Sequence, residues 1–120
     1  MQRAHKQLRA WQESMNLTRT IYNVTRSLPD DERFGLVAQM RRAAVSVPSN
    51  IAEGSARQSK KETVQFYAIA RGSLSELDTQ LEICRDLNLL PENLFVEVSG
   101  LIETVGALLN GLIRFKKKQL

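Results

Sequence analysis

The chain has 120 residues, of which 42% are apolar and 25% charged, a composition that fits one globular domain and excludes a disordered chain. Seventeen Lys and Arg face thirteen Asp and Glu, for a net charge of +4, which admits an anionic partner without requiring one. One Cys and one His exclude a disulfide framework and most metal sites.

Between the prolines and glycines the apolar residues recur at helical spacing, and no stretch alternates as a strand does. A first helix is expected from about His5 to Leu28. Leu8, Trp11, Met15, Thr18, Tyr22 and Thr25 form one stripe, and Leu17, Ile21, Val24 and Leu28 an adjacent one. Pro29 stops it, and the acidic Asp30 to Glu32 suits the start of the next.

A second helix is expected from about Arg33 to Ala56, with Leu36, Met40, Ala44, Val47 and Ile51 inward. Pro48 removes one backbone hydrogen bond and should kink or divide it. The carbonyl of Ala44 then needs a donor from a side chain or water. Gly54 is read as the stop.

The third helix, from about Lys60 to Leu87, opens with Ser59 and Glu62 at capping-box spacing. Tyr67, Ala70, Leu74, Leu77, Leu81 and Cys84 repeat in the three-four spacing of a left-handed bundle seam. Cys84 reads as a small buried hydrophobe.

The fourth helix, from about Pro91 to Lys117, has Pro91 at the favoured first turn. Leu94, Val98, Leu101, Val105, Leu108, Leu112 and Phe115 form its main stripe, broadened by Phe95, Ile102, Leu109 and Ile113. Gly100, Thr104, Ala107 and Gly111 form a small-residue stripe beside it. So wide an apolar arc fits either a deeply buried helix or an oligomer interface, with the interface preferred.

The connections are short, so neighbouring helices run antiparallel. The predicted fold is an all-α, up-down-up-down four-helix bundle, a single domain with a basic tail over residues 114–120. No apolar run is expected to approach the roughly 18 residues of a membrane span. The opening MQRAHKQLRAW lacks the apolar stretch of a secretory signal. A cytoplasmic protein without membrane contact is therefore expected.

Antiparallel order gathers ten cations at one pole: Arg3, Lys6 and Arg9; Arg57, Lys60 and Lys61; and Arg114, Lys116, Lys117 and Lys118. Asp30, Asp31, Glu32, Asp86 and Glu92 fall at the other. Such a cluster can neutralise phosphates and release counterions, or it can merely solubilise the chain and complement helix C-termini. Trp11 and Phe115 are the aromatic residues near the pole, and both lie on apolar stripes, so backbone binding is expected rather than base stacking.

On the polar face of the second helix, Arg42, Ser46, Asn50 and Glu53 are neighbours at helical spacing, with Ser73 and Glu76 within reach from the third. They suit a hydrogen-bond network at a subunit contact, a ligand or nucleic-acid site, or an ordinary solvated face.

Residues 41–54 read RRAAVSVPSNIAEG and residues 72–81 read GSLSELDTQL. With Trp11, Phe34-Gly35-Leu36 and Gln39, these resemble the four-helix-bundle proteins encoded in intervening sequences of bacterial large-subunit ribosomal RNA genes. The resemblance covers residues 8–113. It implies an up-down bundle and a homopentameric ring, in a family with no established biochemical activity. It is also similar to the accessory bundle proteins of diversity-generating retroelements, whose proposed roles are nucleic-acid binding and partnership with a reverse transcriptase. The tail Arg114 to Lys118 lies outside both motifs, so no role is carried over to it.

No Glu-x-x-His pair, phosphate-binding Gly loop or nucleophile elbow occurs. The expectation is a non-enzymatic protein without cofactor or metal. It would be oligomeric and bind RNA or DNA backbone, or serve as a protein-interaction scaffold.

Overall fold

The computed structural model describes residues 3–120. Met1 and Gln2, which open the N-terminal segment compared with a secretory signal, lie outside the described residues. Helices α1 (Arg9–Thr25), α2 (Ala38–Ser55), α3 (Lys60–Asp86) and α4 (Glu92–Lys117) form the bundle. Each packs on two neighbours, in the cyclic order α1–α2–α3–α4–α1. The longest dimension, 45 Å, is close to the ~40 Å of a helix the length of α3.

The core comes from the predicted stripes, with some redistribution. The six-residue α3 seam from Tyr67 to Cys84 is wholly buried, as are Leu17, Ile21 and Val24 of α1. On α4, the residues read as broadening the stripe carry the core: Phe95, Ile102, Leu109 and Ile113 are buried with Val98 and Val105. Leu94, Leu101, Leu108 and Leu112 pack only partly against it. α4 is long and apolar enough to cross a membrane by length and composition, which corrects the expectation that nothing approaches a span. The carboxylates Glu97 and Glu103 break the apolar run without offsetting its average. Only 28% of its most apolar stretch is buried within the bundle.

The first helix is shorter than expected. Residues Ala4–Gln7 make a separate 3-10 turn, and Leu8 is extended between it and α1. At the other end, Ser27 Oγ donates to the Val24 carbonyl at 2.8 Å. Pro29 then biases Leu28 away from helical geometry. The second helix also starts late. A 3-10 turn over Asp30–Glu32 and a π turn over Arg33–Val37 precede it, and the backbone leaves helical geometry at Gly35.

Pro48 does not divide α2, which is continuous from Ala38 to Ser55. The carbonyl of Ala44, deprived of its helical donor, accepts Thr18 Oγ1 from α1 at 3.1 Å. A side chain serves it, as the sequence requires. Ser59 caps α3 by accepting the Glu62 amide at 3.3 Å. Asn88, at φ 56°, closes it in a left-handed turn, with the Leu89 amide reaching back to the Cys84 carbonyl at 2.9 Å. Pro91 is the cap of α4, one residue before the helix.

Cys84 is fully buried, its thiol 3.7 Å from Met40 Sδ. Burial pushes this thiol up, and Glu32 adds to the shift. Burial also raises Tyr67, against a lowering hydrogen bond with Ser55. Both groups favour their neutral forms in the folded state. Their contribution to stability is complete below the unfolded thiol value of about 8.5 and is lost as pH rises through the folded values. Stability is therefore expected to decline above about pH 8.5, with Cys84→Ala removing the part at lower pH. A urea midpoint flat across that range would contradict this.

Candidate nucleic-acid interface

The corner between α2 and α3 is tightly built. A Cβ placed on Gly54 would stand 2.9 Å from Phe66 Cβ and 3.1 Å from the Thr63 carbonyl. Gly54 is thus not the helix stop but the point where α3 approaches the α2 backbone. Thr63 Oγ1 donates to the Gly54 carbonyl at 2.8 Å, and Ser55 Oγ and Tyr67 OH are 2.8 Å apart. These interactions fix the segment that carries Arg57, Lys60 and Lys61. The Arg57 guanidinium lies 4.6 Å over the Phe66 ring and 3.2 Å from Glu53.

The three basic segments meet here. Residues from the opening 3-10 turn, the α2–α3 corner and the end of α4 line one cleft of ≈ 350 Å³. Arg3, Lys6, Arg9, Arg57, Lys60, Lys61, Arg114, Lys117 and Lys118 are exposed, and Lys116 is half-buried. Among the described residues, Arg57 alone of the ten belongs to an ion pair. Phe115 leaves the apolar stripe: it is 60% exposed and lines the cleft. Its spacing fits the apolar stripe, yet it lies beyond Ile113, the last buried residue of α4. Its position between Arg114 and Lys116 was the available signal. At the far pole, Arg85 pairs with Glu92 at 3.3 Å and lies 4.4 Å over Phe95, so part of the acidic charge there is matched.

The polar face divides in two. Arg42 Nη2 and Glu76 Oε2 are 2.7 Å apart, Ser46 and Ser73 hydroxyls are 2.8 Å apart, and Asn50 Nδ2 donates to Ser46 Oγ at 2.9 Å. Glu53 does not join them; it is drawn to Arg57, four residues on and just past the end of α2. Gln80, missed in the sequence, is buried. It donates to Glu76 at 3.5 Å, while its Oε1 is unpartnered among the described residues. Arg41 turns the other way, to Thr25 Oγ1 at 2.9 Å and over the Tyr22 ring. Arg42 is 63% exposed, so within one chain this face is solvated. Arg42→Ala is expected to cost under about 1 kcal/mol in a single chain. A loss in urea denaturation on the order of 1–3 kcal/mol would place the pair in a buried interface between copies.

The small-residue stripe of α4 lies outside the core: Gly100, Thr104 and Ala107 are exposed and Gly111 half-buried. A Cβ on Gly100 would meet nothing within 4 Å. No group of three His, Cys, Asp or Glu that could hold a metal occurs among the described residues.

The family model for the 23S rRNA-intervening sequence protein matches residues 6–111. No curated protein matches the chain. Its fold is similar to a crystal structure of a protein of unknown function from the S23 ribosomal protein family of Bacteroides thetaiotaomicron. The TM-score is 0.81 at 20% identity, covering 88% of this chain and 95% of the other.

Proposed function

This chain belongs to the 23S rRNA-intervening sequence protein family, and from that premise we propose that it is a non-enzymatic homo-oligomer binding the sugar-phosphate backbone of RNA or DNA through its basic pole. The observation that carries the reading is the meeting of three sequence-distant cationic segments around one cleft, nine of their ten charges free of any ion pair among the described residues. Unpaired, exposed cations are available to phosphates, and binding releases the counterions of the nucleic acid.

Oligomerisation is supported by the apolar, largely unburied α4 and by the open space around its Gly100. Five copies is the number implied by the resemblance. A ring with its basic poles on one side would add their fields. The same exposed face favours a second reading, a scaffold that docks a protein such as a reverse transcriptase and touches no nucleic acid.

Two measurements separate these. Sedimentation equilibrium is expected to give about five times the 13.6 kDa chain mass, and a monomer would remove the ring. Filter binding at graded salt is expected to show RNA and DNA retained, with log affinity falling linearly against log salt. Absence of binding at about 0.15 M salt, where exposed charges act over a Debye length of ~8 Å, would leave the scaffold reading.

A further inference from the structure

We propose that the cleft in the basic pole receives one nucleobase of a single-stranded nucleic acid, stacked on Phe115, while flanking phosphates lie on the surrounding cations. The inference rests on the reading of this pole as a phosphate-binding surface and adds to it a strand preference that charge alone does not give.

The cleft has two chemistries. Leu8, Leu112 and the Phe115 ring give it an apolar wall, and Arg57, Lys60 and Lys116 stand among its lining residues. A purely electrostatic surface needs no apolar wall, and an uncharged apolar ligand gains nothing from a cationic rim. A nucleotide unit within a strand carries both a flat apolar face and an anionic linkage on either side. The lining cations come from two sequence-distant segments, Arg57 and Lys60 from the α2–α3 corner and Lys116 from the end of α4, which suits a polyanion entering and leaving better than a ligand with one terminal charge.

Size and geometry agree. At ≈ 350 Å³ the space is near the lower end of small-molecule sites, roughly 300–1,000 Å³, enough for one base and its sugar. Phe115 is 60% exposed, so its ring is open to stacking, and the Lys116 ammonium lies 6.0 Å from its centroid. Gln58 also lines the cleft and brings an amide that both donates and accepts, able to meet a base edge. The bases of a duplex are already stacked, and extruding one is costly, so a single strand is the favoured occupant.

The test uses the full chain and three labelled probes in fluorescence anisotropy: a short oligoadenylate, its abasic counterpart, and a duplex of equal length. Wild type is expected to prefer the oligoadenylate. Phe115→Ala should weaken that probe on the order of tenfold, the scale of removing one base–aromatic stack. It should leave the abasic strand and the duplex unchanged, and Phe115→Tyr should restore binding. Circular dichroism verifies that each variant is folded. Equal binding of all three probes with a silent Phe115→Ala overturns the proposal and leaves backbone binding standing. So does a Phe115→Ala loss that is equal for every probe. Displacement of the strand by adenosine monophosphate at the same nucleotide concentration would make this a site for free nucleotides and overturn the strand assignment. If no probe binds even at low salt, the phosphate-binding reading falls and this one with it.

Discussion

Gly54→Ala is expected to destabilise the bundle by about 1–3 kcal/mol, the usual cost of overpacking, even though alanine is the better helix former by up to ~1 kcal/mol. The new methyl would meet Phe66 Cβ at 2.9 Å and the Thr63 carbonyl at 3.1 Å. Neither atom is the free end of a flexible side chain, so α2 and α3 must separate. Separation also strains the Thr63–Gly54 and Ser55–Tyr67 hydrogen bonds, which hold the corner carrying Arg57, Lys60 and Lys61. Gly72→Ala is the control. Gly72 is exposed on α3 with nothing within 4 Å of a new Cβ, so the substitution should be neutral or stabilising by up to ~1 kcal/mol. Urea denaturation at one protein concentration reads both. Equal, stabilising shifts would mean that the helices do not approach so closely at Gly54.

Replacing Lys116, Lys117 and Lys118 with Gln is expected to weaken binding to unrelated RNA sequences about equally. The salt slope should also flatten, by up to about one unit for each phosphate no longer neutralised. Lys117 and Lys118 are exposed, Lys116 is half-buried, and none is in an ion pair among the described residues. Stability should therefore change little, since even paired surface charges contribute only about 0–1 kcal/mol. Reversing Arg57, Lys60 and Lys61 to Glu should act in the same direction from a different part of the sequence. Arg57→Glu also places a carboxylate beside Glu53, its present partner, so Lys60 and Lys61 reversed alone give the cleaner result. Unchanged slopes in both variants would locate any binding elsewhere on the molecule.

The bundle was legible because long helices with sustained periodicity announce themselves; every residue of the α3 seam is buried as its spacing requires. The meeting of the basic segments was also legible, since it follows from antiparallel order alone. Other features depended on neighbours that periodicity does not encode. Gly54 has the sequence signature of a helix end but serves a close approach between helices. Glu53 had two cations on its side of the chain, Arg57 and the more distant Arg42, and took the one a single turn away. Gln80 is a polar residue in an inward position, which a hydrophobic pattern passes over. The cleft could not be read at all, because it arises from a 3-10 turn that the helical spacing of Leu8 and Trp11 conceals.

The separation of charge along the bundle has a consequence for assembly. In the proposed ring, copies set side by side with the same polarity would bring like poles together, and their mutual repulsion would oppose closure through α4. Added salt relieves that repulsion while it weakens attachment to a polyanion, so the two equilibria are expected to respond to ionic strength with opposite signs. A bound strand would itself neutralise the crowded poles and act as the missing counterion. Thermodynamic reciprocity then requires that nucleic acid tighten the oligomer by the same factor by which the oligomer tightens its hold on nucleic acid.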